Sequence, residues 1–358
     1  MRTRVALVGT GAWATQAHAP ALLAQETVEV IGVVDPIIER ARVLAARHNI
    51  PIAVASLDAL LARGRPDLVV IAAPTEAHAP LVSTALEAGI AVLCEKPLAN
   101  TATAAAALAA TAEATGVLGS VGYSFRYAAA LQALKRDIES GVLGQPWLLE
   151  LFEYNAQFHP SRGVSPGWKG DPSRARAGAL QEYGSHVIDL AGWLAGPIEA
   201  VHAALTRVLP DARLDDIATV QLRFRPPAIG LIVTSWALSG GSPGIRVRFH
   251  GSEGLAEAEV TNATPGGQAY RRVTLDGVAQ EVPLHGLDAA IGAQTARHID
   301  DVVALVQGRP SPYPGTLPTL RDGARIQRVL DAALTATGDL GDISEHDTRP
   351  GEIDGPSR

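Results

Sequence analysis

Five short apolar runs, at residues 4–9, 28–34, 67–72, 90–94 and 117–121, punctuate the first third of the chain. Between them the apolar positions recur at helical spacing: to about Ala24, over 37–48, over Asp58–Arg63, over Pro74–Ala88 (closed by Gly89) and over 101–115. The last stretch is very Ala-rich, but Leu108 and Glu113 interrupt it, and Ala is the strongest helix former. Short apolar runs that alternate with helices predict a doubly wound parallel sheet, an α/β domain.

Near Tyr123 the pattern changes. One amphipathic helix is predicted over 127–140, and then come longer, alternating strand candidates at 147–157, 199–208, 216–225, 228–238 and 244–250. Their connections are too short for crossover helices, which predicts a largely antiparallel sheet in an α+β domain. Val220, Leu222 and Phe224, with Ile232, Thr234 and Trp236, form the face that helices are expected to cover. Helices are predicted at about 178–194 and 288–308, and at about 319–337 after the Pro-rich turn Pro310–Pro318. The expected domains are 1–122 and 123–338, with a polar, flexible tail at 339–358.

Composition narrows the function classes. Hydrophobic residues make up 47% of the 358 positions, enough for two full cores. A net charge of -7 argues against a nucleic-acid partner, which would need basic clusters to meet phosphates. No apolar run is long enough to suggest a membrane span. The single cysteine, Cys94, sits in an apolar run and reads as a small buried hydrophobe. Met1-Arg-Thr-Arg leads straight into a strand without a signal-peptide pattern, so a cytoplasmic protein is expected. Only Lys96, Lys135 and Lys169 are lysines; the other basic residues are arginines.

Gly9-Thr-Gly11-Ala12-Trp13-Ala14 has the form G-x-G-x-x-A after a strand and at the start of a helix. Gly9 permits the tight turn, Gly11 lets backbone approach a pyrophosphate, and Ala14 lets helix and strand pack closely. The free N–H groups of the helix start complete a phosphate site. Asp35, followed by Pro36, ends the second strand, where a carboxylate accepts from both ribose hydroxyls and repels a 2′-phosphate. A Rossmann domain that binds NAD in preference to NADP is the expectation.

Glu95-Lys96-Pro97 lies at the carboxyl end of the fourth strand, the edge where open α/β sheets bind ligands. A lysine there can hydrogen-bond a substrate oxygen and move its proton; local sequence alone equally allows a solvated strand cap. In the second domain Glu182 and His186 are four apart and share a face of a regular helix, with Asp189 three further on. A carboxylate that orients an imidazole makes an acid–base pair; helix packing or a salt bridge explains Asp189 equally well. Asn155, Gln157 and His159 at a strand end, and Tyr183 beside the acid–base turn, are candidates for substrate hydroxyls. No His-Glu-x-x-His motif or cysteine cluster suggests a metal.

These elements together resemble one family. The phosphate turn with His18, Ala73-Pro74-Thr75 with His78, and Ala85-Leu86-Glu87-Ala88-Gly89 running into Glu95-Lys96-Pro97 are similar to the Gfo/Idh/MocA oxidoreductases. So are Gly122–Tyr127, Gly141–Gly144, Trp168, Gly178–Asp189 and Gly251–Gly254, and the likeness covers about residues 3–338. The resemblance implies a catalytic set of Lys96 and His186, with an Asp of the family's Asp-x-x-x-His replaced here by Glu182. It also places Arg126 and Trp168 near nicotinamide or substrate, although Lys169 stands where some members have Arg after the Trp. His18 and His78 would shape the cofactor cleft, and the Lys96–Pro97 bond would be cis. The second sheet would be open-faced and pair between copies in a homodimer or homotetramer.

The expected activity is therefore hydride transfer between a secondary alcohol of a sugar, inositol or related polyol and NAD. Lys96 and His186 would handle the hydroxyl proton, and Glu182 would orient His186 or a ring hydroxyl. Two other functions fit the same motifs: a glycoside hydrolase that uses tightly held NAD transiently, and a non-catalytic NAD(H) sensor.

Overall fold

The computed structural model describes residues 2–225, 228–238, 244–261, 267–284 and 293–336. The first domain runs β1 (Thr3–Val8), α1 (Ala19–Leu23), β2 (Val28–Val34), α2 (Ile38–His48), β3 (Ile52–Val54), α3 (Leu57–Leu61), β4 (Leu68–Ile71), α4 (His78–Glu87), β5 (Ala91–Cys94), α5 (Ala102–Thr115) and β6 (Gly119–Val121). All six strands are parallel, in the order β3-β2-β1-β4-β5-β6. β4 and β5 are buried at every position, because helices cover both faces of the sheet. β3 has only three residues, directly after Pro51, and its short run carries no periodic signal. A π-type turn, Ala14–His18, leads into α1, so the helix expected as one piece is built from two.

The second domain continues with α6 (Ala129–Glu139), β7 (Pro146–Tyr154), α7 (Ser185–Ala195), β8 (Ile198–Thr206), β9 (Ile217–Phe224), β10 (Ile229–Ser235), β11 (Gly244–Gly251), β12 (Gly254–Thr261), β13 (Gln268–Thr274), β14 (Ala279–Glu281), α8 (Ala293–Val306) and α9 (Leu320–Thr335). The sheet order is β14-β13-β12-β11-β7-β10-β9-β8. Every pair is antiparallel except β7–β10. The sheet is thus largely antiparallel, as the short connections predict, and the one parallel pair arises because β10 returns beside β7 only after α7, β8 and β9 have intervened. β12 to β14 add to the strands that the alternation predicts. β12 alternates buried Ala256, Ala258 and Val260 with Glu257 and Glu259, residues whose strand propensity is low, and its pairing with β11 overrides that preference. Val220, Leu222, Phe224, Ile232, Thr234 and Trp236 are all buried, in agreement with the alternation. Residues 337–358, including the expected tail, and 288–292 of one expected helix lie outside the described residues.

α8 follows the second sheet in sequence but packs on the first. Its Ile299, Val302 and Val303 share a core cluster with Val5, Leu7 and Val30. On the same helix His298 is buried, its Nε2 2.7 Å from Ser120 Oγ on β6 and its ring stacked on Tyr127. Burial pushes the imidazole down to about 3. The folded value lies below the usual 6.5, so the unfolded chain takes up the proton first, and stability falls as pH drops from about 6.5 toward 3. Between pH 6.5 and 5 this group should remove about 2 kcal/mol. Urea unfolding should therefore show the difference between wild type and His298→Asn shrinking on acidification. A difference that is constant with pH would show that His298 is not buried uncharged.

Candidate active site

The turn after β1 is shaped by close approach. Gly9 has φ +95°, and a Cβ there would lie 2.4 Å from the Ala72 carbonyl oxygen at the end of β4. Gly11, by contrast, faces open space: a Cβ there would meet nothing within 4 Å. Ala12 and Trp13 are exposed beside it and Ala14 is buried against the sheet. An open backbone at the head of a helical segment is what a pyrophosphate needs, so these residues fit a dinucleotide.

Asp35 is buried at the end of β2 and its carboxylate is preset. Oδ2 accepts from Thr10 N (3.1 Å) and Thr10 Oγ1 (2.6 Å), and Oδ1 accepts from Ile37 N (2.9 Å). Thr10, a variable position of the glycine motif, thus holds the Asp35 carboxylate in place. Pro36 separates Asp35 from the Ile37 amide that it captures. Ala73, Pro74 and Thr75 follow β4 on the same edge, Thr75 being buried.

His78 is buried in α4, its two ring nitrogens 2.8 and 2.9 Å from the Pro97 and Ala73 carbonyls. It braces the two loops at the sheet edge rather than facing the cleft. His18 Nε2 lies 2.8 Å from Glu95 Oε1, and the Lys96 amide donates to Glu95 Oε2. Burial raises the Glu95 carboxyl, but the His18 hydrogen bond and the charges of His18 and Lys96 outweigh it, and the group stays ionised below its usual range. Glu95 is therefore a buried brace behind Lys96. The Lys96–Pro97 bond is cis, in agreement with the resemblance.

Lys96 reaches from β5 across to the second domain. Its Nζ donates to the Glu182 carbonyl (2.8 Å) and lies 3.2 Å from Glu182 Oε1. Lys169 Nζ is closer still, 2.6 Å from the same Oε1. Burial pushes the Glu182 carboxyl up, but the two ammonium groups outweigh it and hold it at about 2.

The expectation that Glu182 orients His186 is corrected here. Residues Leu180–Gly184 form a π-type turn ahead of α7, and the Glu182 carboxylate within it is engaged by Lys96 and Lys169. Glu182 turns to the lysines instead. His186 packs edge-on against Phe125 and Tyr123, and its buried Nδ1 has no hydrogen-bond partner. Burial and then the Lys96 charge push the imidazole down to about 3, against the pull of Glu95 and Glu182. It is a neutral ring at physiological pH, not one poised near 7.

Asp189 does not touch His186 either. Its carboxylate takes both Nε (2.9 Å) and Nη2 (2.5 Å) of Arg126, and Arg126 Nη1 lies 3.6 Å from Asp322 at the start of α9. Arg126 is buried in this pair and does not present its guanidinium to the cleft, contrary to the role expected from resemblance. Trp168, on the turn Gly167–Gly170, has the Arg174 guanidinium 5.8 Å from its ring centre. Asn155 caps the end of β7 by accepting from the Gln157 amide (2.6 Å), and Gln157 Oε1 accepts from Tyr183 OH (2.8 Å). His159 bonds locally to Ser161. Among the described residues no group of three or more His, Cys, Asp or Glu is placed to hold a metal ion.

Two residues of this cluster escape a reading by motif. Lys169 stands out in the sequence only as a departure from a Trp-Arg pair. Glu153 on β7 is buried with Oε2 unpartnered, and burial pushes its carboxyl well above the usual range despite the nearby Lys96. Its signal is present in the alternation: Leu149 and Leu151 face inward, and the next inward position is this acid.

Comparison with known proteins accounts for this arrangement. Residues 3–123 match the oxidoreductase family with an NAD-binding Rossmann fold, and residues 131–257 match the GFO/IDH/MocA C-terminal domain. The D-apiose dehydrogenase of Paraburkholderia graminis is 29% identical over 238 residues, 66% of this chain and 61% of that protein. The levoglucosan dehydrogenase of Pseudarthrobacter phenanthrenivorans is 28% identical over 218 residues, 53% of this chain and 55% of that protein. These matches thus span less than two thirds of the curated relatives' length. GenD2 from gentamicin A biosynthesis, solved in complex with NAD, superposes with a TM-score of 0.77 at 27% identity, covering 94% of this chain and 95% of its own. With both domain types matched in order and the Glu-Lys-Pro lysine directed at the second domain, this chain belongs to the GFO/IDH/MocA oxidoreductase family.

Proposed function

We propose that this protein is an NAD-dependent dehydrogenase acting on a secondary alcohol of a sugar, inositol or related polyol. The observation that carries the reading is Lys96, held at the sheet edge and bonded across the cleft to the Glu182 segment beside His186. Two matched relatives are named as sugar dehydrogenases, which supports this substrate class. The nicotinamide, when bound, supplies the hydride chemistry. Lys96 takes the hydroxyl proton in its uncharged form and returns it in the reverse direction. His186, a neutral ring, orients the reacting hydroxyl by a hydrogen bond while Lys96 takes the proton. Glu182 stays ionised throughout and positions Lys96, a different task from orienting the imidazole. Gly9, Gly11, Ala12, Trp13, Asp35, Pro36, Ala73, Pro74 and Thr75 line the cofactor side, and Asn155, Trp168 and Tyr183 the substrate side.

Asp35 supports NAD over NADP, because a buried acid side chain held at the ribose end of the cleft leaves no room or counter-charge for a 2′-phosphate. The open face of the second sheet, where Ile229 and Leu231 are exposed, is the surface proposed to pair in a homodimer or homotetramer. A cytoplasmic setting, beside the cell's nicotinamide pool, completes the reading. No helix of the described residues is long and apolar enough to cross a membrane.

A panel of sugars and polyols with NAD and with NADP, read at the nicotinamide absorbance, tests the proposal. Net NADH formation with at least one of them, faster with NAD than with NADP, is expected. Glycoside cleavage without net NADH would mean the transient-redox hydrolase, and cofactor binding without turnover would mean a sensor.

A further inference from the structure

Two charged residues of the site, Glu182 and Lys169, touch each other, their charged groups meeting at 2.6 Å. The chain has three lysines among 30 basic residues, and two of them converge on one oxygen, Glu182 Oε1. Arginine would bind a carboxylate in a fixed fork; lysine offers a compact charge that shares a single oxygen with a second ammonium.

We propose that Lys169 is a positioning residue for Lys96, acting through Glu182 to weaken the carboxylate's hold on the Lys96 ammonium. The inference rests on the reading of Lys96 as the proton acceptor. A carboxylate that served Lys96 alone would stabilise its charged form and so oppose proton uptake from a substrate. Lys169 takes the shorter bond to that oxygen and adds a like charge beside Lys96, and both effects favour the uncharged amine. The other groups facing Lys96 are Glu95 on its own strand end, Glu153 on β7 and His186 on α7. Burial disfavours the charge on Glu153 and holds His186 neutral, so neither matches the charge that Glu182 supplies. Lys169 keeps about a third of its side chain exposed, so removing it leaves the core intact.

Competitive labelling with trace acetic anhydride tests this without turnover, because only uncharged amines react. Lys135, on α6 and bonded to the Trp193 carbonyl, is the internal reference, and peptide mass spectrometry reads the Lys96 to Lys135 ratio against pH. In Lys169→Met the Lys96 labelling near pH 8 should fall about three- to tenfold, the profile moving up by about half to one pH unit. Lys169→Gln should reproduce the fall, and Lys169→Arg, which keeps the charge, should restore much of the wild-type ratio. In a Glu182→Gln background the removal of Lys169 should have a much smaller effect. A ratio unchanged in both uncharged variants, or a fall that persists in full without Glu182, overturns the proposal. The labelling ratio is read without turnover, so its failure and the failure of the sugar panel are distinguishable.

Discussion

Lys96→Ala is expected to lower turnover by about a thousandfold or more while NADH binding persists. Side-chain proton transfer contributes about 10²- to 10⁴-fold, or roughly 3–5 kcal/mol of barrier. Lys96 belongs to the upper part of that range because its neighbours do not replace it. Glu182 is ionised and doubly paired, burial pushes the Glu153 carboxyl well above its usual range, and His186 is held uncharged by burial. The cofactor turn at Gly9–Ala14 and Asp35 lie on other loops of the sheet edge, so fluorescence titration with NADH should give an affinity near that of wild type. Lys96→Arg should be nearly as impaired, since a guanidinium does not give up its proton in a protein. Steady-state rates with the sugar found in the panel decide the matter: activity of the alanine variant within tenfold of wild type would remove Lys96 from the mechanism.

The second large effect concerns stability. Asp189→Asn should cost about 3–5 kcal/mol, because it leaves Arg126 as a buried cation without its bidentate partner. Arg126 lies in the turn Ser124–Tyr127 after the first domain, Asp189 in α7, and Asp322 in the first turn of α9. The pair therefore fastens the segment between the domains to two helices of the second. Replacing both members, Arg126→Met with Asp189→Leu, should recover much of the loss, since apolar residues of similar size need no compensating charge. Urea unfolding near pH 7 measures both; a single-variant loss under 1 kcal/mol would show that solvent reaches Arg126.

The functional motifs are legible in the sequence to different degrees. Local features carry the phosphate turn and the ribose acid: a glycine whose extra Cβ would collide with Ala72, and an acid at a strand end. The central strands β4 and β5 are legible because burial on both faces makes them uniformly apolar, whereas the three-residue edge strand β3 is not. β12 is not, because Ala and Glu form a strand there only through pairing with β11. The acid–base cluster is half legible. Residue types at 96, 182 and 186 mark segments that the fold brings together, but their partners do not follow from spacing. The Glu182 carboxylate goes to Lys96 and Lys169 rather than to His186, and Asp189 goes to Arg126, 63 residues away in sequence.

By itself the sequence determined two domains, the parallel order of strand and helix in the first, and the chemistry gathered at its carboxyl edge. Those are consequences of periodicity, of steric demands at single glycines and of residue type, all of which act over a few positions. Tertiary structure alone decided which charges meet. It set Lys96 and Lys169 on one oxygen of Glu182, left Glu153 unpartnered inside β7, and made His186 a neutral ring. The physical reason is that desolvation and Coulomb interaction depend on distances between segments far apart in the chain, and no local pattern encodes those distances.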